Sequence, residues 1–172
     1  MSKAIVLLVV AASCLSKAPA FALQTTTRLS VSASGAQGND TSYYPVVSEF
    51  GRFVLFTSGA TNLVPGDTNG VYDVFVRDLV TGTIERVSVG SAGAQADGSS
   101  FGSSISRDGR FVGFHSSATN LVAGDTNGAA DAFVRDRELG VNVRVSVSST
   151  GAEASGNSVF ASFRATVASQ RS

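Results

Sequence analysis

The chain has 172 residues, and its 13 basic and 13 acidic side chains give a formal net charge of zero. This balance argues against nucleic-acid binding, which needs a concentrated basic surface. Hydrophobic residues make up 43% of the sequence, so the chain is not disordered by composition. The content of Gly, Ser and Val, without long helical patterns, favours β structure in a single domain.

The first 22 residues have the three parts of a secretory signal. Lys3 precedes an apolar run of about a dozen residues, and motifs of small residues offer cleavage after Ala20 or Ala22. The run is too short to cross an apolar membrane core of about 30 Å. A lipoprotein signal ending at Cys14 and an uncleaved anchor are weaker alternatives. We therefore predict a protein that is periplasmic or secreted, with no membrane span in the mature chain.

Cleavage would change the composition of the chain. It removes Lys3, Lys17 and the only cysteine, Cys14, so that 11 basic and 13 acidic residues remain, a net charge near −2. The mature chain then has no disulfide. Packing or metal must hold such an exported protein together.

Residues 23–158 are organised by a repeat of 58 residues. The stretch ATNLVPGDTNGVYDVFVRD at 60–78 returns as ATNLVAGDTNGAADAFVRD at 118–136, and the motif that starts at Arg28 returns at Arg86 and Arg144. When residues 28–85 are aligned with 86–143, 30 of 58 positions are identical without a gap. A fixed period of this length indicates a repeat architecture. The third copy follows the pattern to residue 158, and residues 159–172 diverge.

Each repeat predicts four short antiparallel strands. Residues 24–31 alternate as a strand with one wet face, and a short strand is expected at 43–48. Gly51 marks a turn, as Gly109 does in the second repeat. The stretches that follow, at 52–57 and 73–77, are apolar on both faces and must lie between two layers. Residues 83–89 alternate as an outer strand.

Small antiparallel sheets stacked face to face are the blades of a β-propeller. We predict an all-β fold, a partial β-propeller of two four-stranded antiparallel blades plus flanking strands, with helix only in the signal. Closed propellers have about 4–8 blades, so we expect either a truncated relative of a longer propeller or self-assembly of several copies. The expected core residues are Phe53, Val54, Phe56, Phe75, Val76, Phe111, Val112, Phe114, Phe133 and Val134.

The motif SISRDGRFVGF at 104–114, followed by DAFVRD at 131–136 and by Gly140, resembles the TolB-like propeller repeat. The family pattern is S-x-D-G-R-x-V-x-F, then D-[IV]-[FY]-V-x-D, then a turn with Gly. The first repeat matches it at 48–56 and 73–78 but has Phe50 in place of the turn Asp. The resemblance covers residues 28 to 158. It implies a propeller fold and leaves the function open, because propellers host many unrelated roles.

The two GDTNG loops place oxygen-bearing side chains at positions 1, 3 and 7 around a glycine. A hard cation such as calcium takes several oxygen ligands on a sharply turning loop, so both loops are candidate calcium sites. The alternative is an Asx turn, in which the Asn adopts the left-handed conformation and the last Asp opens the next strand. The candidate ligands are Asp67, Asn69, Asp73, Asp125, Asn127 and Asp131.

No catalytic residue is predicted. His115 is the only histidine, and Thr57 occupies its place in the first repeat. The mature chain lacks a cysteine and a G-x-S-x-G motif, so the usual hydrolase constellations are absent and His115 is expected to be a strand-end residue. The recurring pair Arg77–Asp78 is expected to serve blade structure, as a charge pair or through hydrogen bonds. With only three tyrosines and no tryptophan, sugar binding is disfavoured.

Two functional hypotheses of different class follow. The favoured one is an exported non-enzymatic binding or scaffold module that works through loops at one rim of the blades, with a protein as partner and calcium as the only cofactor considered. The alternative is a metal-dependent exported hydrolase or lyase that uses the acidic loops, or a truncated non-functional fragment of a longer propeller. Because the acidic residues recur in both repeats, whereas active sites are usually unique within a chain, binding or structure is favoured.

Overall fold

The computed structural model describes residues 7–8 and 26–159, and these residues form strands and turns without any helix. The all-β prediction is confirmed for this part of the chain. Nothing within it has the helical length and apolarity that a membrane crossing requires. The ten strands are β1 Leu7–Leu8, β2 Thr27–Arg28, β3 Ser42–Val47, β4 Phe53–Ser58, β5 Asp73–Asp78, β6 Ile84–Arg86, β7 Ser100–Ile105, β8 Phe111–Ser116, β9 Asp131–Asp136 and β10 Val141–Arg144.

Two four-stranded antiparallel sheets carry the fold. Strands β3 to β6 lie side by side in chain order in one sheet, here named blade 1, and β7 to β10 do the same in blade 2. The prediction of two such blades is confirmed. The outer strand β6 is shorter than predicted, although Val87 after it still donates its N–H to the carbonyl oxygen of Val74 at 2.8 Å.

Strand β1 pairs antiparallel with β2. It lies within the predicted signal, and its two residues are extended where helix was expected. The rest of the predicted signal lies outside the described residues. So does the divergent segment after residue 159.

The first hairpin of each blade turns at a glycine in the left-handed region. Gly51 and Gly109 have φ of 73° and 76°, which glycine adopts without steric cost. Asp108 supports the second turn, since one of its carboxylate oxygens accepts hydrogen bonds from the Ser106 hydroxyl at 2.6 Å and from the Arg110 N–H at 3.0 Å. The first repeat makes the same turn with Phe50 in that place, so the missing Asp does not change the topology.

The two blades pack face to face through one apolar core. Because side chains alternate along a strand, each blade has a front face and a back face. The front face of blade 1 packs on the back face of blade 2. The core between them contains Phe53, Leu55, Val74 and Val76 from blade 1, Val112, Phe114 and Phe133 from blade 2, and Val87, Ala96, Ala118 and Leu121 from connecting segments.

The back face of blade 1 is covered by its own loop. Ala60 and Leu63, from the ATNLV segment, pack on Phe56 and Phe75, whose side chains are fully buried. The segment that makes this repeat longer than a minimal blade therefore supplies apolar cover. Blade 1 is covered on both faces, and blade 2 only on its back face.

Eight of the ten predicted core residues are buried, and the exceptions are Phe111 and Val134. Phe111 is 36% exposed and Val134 is half-buried, because both lie on the front face of blade 2, which no described sheet covers. The prediction was wrong there because the pattern of a strand does not reveal whether a neighbouring sheet exists. Fully buried residues that it omitted are Leu55, Leu63, Val74, Val87 and Leu121.

Candidate functional site

The first GDTNG loop brings its three candidate calcium ligands together around an arginine. Arg86 Nη1 lies 2.8 Å from Asp67 Oδ1 and 3.3 Å from Asp73 Oδ2. Asn69 donates its side-chain amide to Asp73 at 2.9 Å, and the Ser88 hydroxyl donates to the other Asp73 oxygen at 2.5 Å. A guanidinium therefore already compensates the charge of these carboxylates.

The second loop repeats this geometry with one more acid. Arg144 Nη1 lies 3.2 Å from Asp125 Oδ1 and 3.4 Å from Asp131 Oδ2, and Asn127 donates to Asp131 at 3.1 Å. Arg144 also pairs with Glu153, where the first repeat has the neutral Gln95.

Burial raises the pKa of Asp67 and of Asp125, against the attraction of the neighbouring arginine. Within residues 7–8 and 26–159 no group of three or more His, Cys, Asp or Glu side chains is arranged to hold a metal ion. Calcium binding stays a prediction, in which the ion would compete with Arg86 and Arg144.

The turn itself differs in one respect from the Asx alternative. Asp73 and Asp131 begin β5 and β9, as that alternative expected. The left-handed position is taken by Gly70 and Gly128, with φ of 68° and 62°, and not by the preceding Asn. Glycine meets no Cβ penalty there, so it takes the strained position.

The recurring Arg77 and Asp78 at the end of β5 make structural contacts, a charge pair and hydrogen bonds, as the sequence predicted. Asp78 binds Arg52 at 2.8 Å and accepts the backbone N–H of Val80 at 2.9 Å. Arg77 instead donates to the carbonyl oxygen of Val31 at 2.7 Å. Asp78 thus makes the charge pair with Arg52, and Arg77 makes a hydrogen bond to the backbone.

Aromatic rings from both repeats gather beside the first strands of the two blades. Tyr72 stacks on Phe101 with 5.8 Å between ring centroids, and Phe101 stacks on His115 at 5.3 Å. Tyr44 meets the edge of Phe101 at 6.5 Å, and Tyr43 lies 6.1 Å from Tyr72. All three tyrosines and the only histidine thus belong to one aromatic cluster.

A pocket of about 560 Å³ opens against this cluster. Its size lies within the range of about 300–1,000 Å³ that is usual for ligand pockets. Burial lowers the pKa of His115 below its ordinary value of 6.5, so the imidazole is neutral at pH 7 and no lining side chain carries a charge. The lining residues are Tyr44, Pro45 and Val46 of β3, Phe101, Gly102 and Ser103 of β7, and His115 of β8.

Tyr44 has a strained backbone. Its φ of 52° makes it the one non-glycine residue with a positive φ in the described chain. A side chain in this region costs about 1–2 kcal/mol. The register between β3 and β4 shifts between Tyr43 and Val46, which is a bulge, and bulges often lie next to functional sites. The Tyr44 side chain is nevertheless 62% exposed, so its own burial does not offset the strain.

The sequence contains one signal for this site that is visible only in retrospect. Strand β3 reads SYYPVV and β7 reads SFGSSI, so the first serine alone is identical, whereas 30 of 58 positions are identical over the whole repeat. Features that serve every blade recur, and a site made once should lie where the repeats differ.

Antiparallel four-stranded blades in tandem define the class, a repeat protein of the β-propeller type. No protein-family model matches the chain, and no curated protein does. Among solved structures, it is similar to TolB from Agrobacterium tumefaciens, with 17% identity and a TM-score of 0.42 over 71% of this chain. It is similar to TolB from Acinetobacter baumannii with 19% identity and a TM-score of 0.41 over 77% of this chain. The chain spans 37% and 26% of the lengths of these two proteins.

Proposed function

We propose that the chain is an exported, non-enzymatic binding module whose partner is a protein that docks at the aromatic pocket between β3 and β7. The observation that carries the proposal is Tyr44, an exposed aromatic residue held in a strained backbone conformation. Strain that local packing does not explain is a reason to suspect function.

The chemistry of the pocket suits an apolar side chain of a partner protein. Tyr44 and Phe101 offer ring faces, and none of the lining side chains brings a net charge to the pocket. Exposed aromatic residues are enriched among the residues that dominate the energy of protein interfaces. Two packed sheets carry the pocket, so little conformational entropy would be lost on binding.

The acidic loops are assigned to blade structure in this proposal. Their carboxylates bind Arg86 and Arg144, hydroxyl groups and backbone, and the same contacts recur in both repeats. Calcium at these loops is a finer and separate proposal, and it is tested by the response to chelator described in the Discussion.

The test compares variants of the mature chain as bait for proteins of the exported fraction, quantified by mass spectrometry. Tyr44→Ala and Phe101→Ala should each lower capture of the specific partner more than tenfold, since residues at the centre of an interface contribute about 2 kcal/mol or more. Phe50→Ala is the matched control, because Phe50 is also an exposed aromatic residue, at 72%, but lies at the β3–β4 turn. Equal capture by all three variants would refute the site.

Tyr44→Gly separates binding from folding. Glycine accepts a φ of 52° without strain, so this variant should unfold at the same or a higher denaturant concentration than the parent. It should nonetheless lose capture as Tyr44→Ala does. Export is tested separately, because the protein recovered outside the cytoplasm should begin at Phe21 or Leu23.

A further inference from the structure

The front face of blade 2 is an apolar surface that no described sheet covers. Beside Phe111 and Val134, the outer part of this blade exposes Val143 at 57%, Val145 at 46% and Val147 at 37%. On blade 1 the corresponding face is covered by β7, which crosses Leu55 and Val74.

We propose that residues 160–163 of the same chain cover the centre of this face, as the first strand of a third sheet. Thirteen residues, 160–172, follow the described part of the chain. The first four of them would cover the front face of blade 2 as β7 covers the front face of blade 1.

The path of the chain leads to this position. Residues 86–100 and 144–158 share a backbone bridge, since the bridge between Val89 and Gln95 returns as the bridge between Val147 and Glu153. The N–H of Ser100, at the start of β7, donates to the carbonyl oxygen of Tyr72 at 2.8 Å. The N–H of Ser158 donates to the carbonyl oxygen of Ala130, the equivalent residue of the second repeat, at 2.6 Å. The chain therefore arrives on blade 2 as it arrives on blade 1.

The sizes of the facing residues change reciprocally. Gly102 of β7 lies so close to blade 1 that a Cβ there would be 3.0 Å from the Leu55 side chain and 3.1 Å from that of Val74. The equivalents of Leu55 and Val74 on blade 2 are Gly113 and Ala132.

The equivalent of Gly102, 58 positions later, is Phe160. Where β7 packs on blade 1, a small residue faces two large ones. Where residue 160 would pack on blade 2, a large residue faces two small ones. Such an exchange conserves volume, which close packing requires.

The rest of the segment fits the same role. β7 reads SFGSSI and residues 158–163 read SVFASF, with serine at the first and fifth positions and a large apolar residue at the last. Gly102 donates its N–H to the Thr57 hydroxyl at 3.0 Å, so residue 160 would lie beside His115, at one wall of the aromatic pocket. Four residues do not reach Phe111, whose counterpart Phe53 is covered by Gly109 and Arg137.

The test is a cycle of two substitutions measured by thermal unfolding. Gly113→Leu recreates Leu55 and should collide with Phe160, lowering the melting temperature by roughly 5 °C. Phe160→Gly should also lower the melting temperature. The double variant should recover most of the loss, because it has the same small and large residues that Gly102 and Leu55 provide where β7 packs on blade 1. If Gly113→Leu costs nothing, or if the two effects simply add, the proposal is wrong.

Concentration and cross-linking identify the occupant. The coupling should persist on hundredfold dilution, since a segment of the same chain needs no second molecule, and loss of coupling would assign the face to another copy. In a Cys14→Ser background, Ala132→Cys with Phe160→Cys should form a disulfide within one chain. A disulfide-linked dimer, or no disulfide, would overturn the proposal even if the first variants fold poorly.

Discussion

Blade 1 and blade 2 have nearly the same buried sequence in different surroundings. Phe53 is 8% exposed, whereas its counterpart Phe111 is 36% exposed. Val87 is fully buried, whereas its counterpart Val145 is 46% exposed. In both cases a residue of the same type occupies the same position of a repeat. The difference in exposure therefore reflects whether a neighbouring sheet covers the residue, and not the sequence of the strand.

The charged contacts across the blades follow the same division. Arg137 of blade 2 pairs with Glu85 of blade 1 at 2.7 Å, and Arg107 pairs with Glu49. The counterpart of Glu85 in the second repeat is the exposed Val143. The surfaces of the two repeats have therefore diverged according to what each one faces.

The largest expected effect is the cost of truncating the two equivalent phenylalanines. Phe53→Ala should lower the free energy of unfolding by about 3–5 kcal/mol, as for other buried aromatic residues. Phe111→Ala should cost roughly 1 kcal/mol, because much of that ring already contacts water. Urea unfolding of the two variants gives the comparison directly. Equal losses would mean that Phe111 is covered in solution.

The two turn glycines should show a smaller difference. Alanine at either position must adopt a positive φ, at a cost of about 1–2 kcal/mol. At Gly109 a Cβ would also lie 2.3 Å from the Phe53 ring, whereas at Gly51 nothing lies within 4 Å. Gly109→Ala should therefore be clearly less stable than Gly51→Ala in the same urea experiment. Equal stabilities of the two variants would show that the Phe53 ring can move to make room for a Cβ at residue 109.

The ion pair between Arg52 and Asp78 in blade 1 has an equivalent in blade 2, and the two pairs should stabilise the fold to a similar extent. Arg52 holds the pKa of Asp78 well below its ordinary value of 3.8, and Arg110 lowers the pKa of Asp136. A carboxyl with a depressed folded-state pKa stabilises the fold at pH above its unfolded value, and this contribution disappears as the pH falls through the folded-state pKa. We expect stability to decline below about pH 4.

Asp78→Asn and Asp136→Asn test this expectation. Each should lower the melting temperature at pH 7 to a similar extent, and each should weaken the decline in acid. The measurement is the melting temperature between pH 2 and pH 7. A much larger effect in blade 1 would show that these pairs also depend on the neighbouring sheet.

The smallest expected effect concerns calcium. Arg144 contacts three carboxylates and Arg86 only two, so an added ion should prefer the second loop. At a calcium concentration equal to Kd the gain is only about 0.4 kcal/mol, so the ion must be titrated over a wide range. Asp125→Ala should remove more of the rise in melting temperature than Asp67→Ala. A melting curve that neither calcium nor chelator changes would reject both sites.

The sequence was sufficient to predict the blades because the paired strands are neighbours in the chain and the same pattern occurs in two full copies. The burial of Phe111 was not predictable, since an isolated strand pattern is the same with or without a covering sheet. The aromatic pocket could not be predicted either, because Tyr44 lies in blade 1 whereas Phe101 and His115 lie on two paired strands of blade 2, and the pocket forms only where the two blades pack together. The left-handed Gly70, in contrast, was within reach of sequence reasoning, since glycine adopts that conformation more readily than Asn69.

The ATNLV segment has a consequence for how such a chain can change in length. Each repeat brings its own apolar cover for the back of its sheet, so inserting or deleting one whole unit of 58 residues leaves the number of bare faces unchanged. Gene duplication can therefore lengthen the array without first evolving a new cap. The near-identity of the two GDTNG segments is what one would expect of an array that has grown in this way.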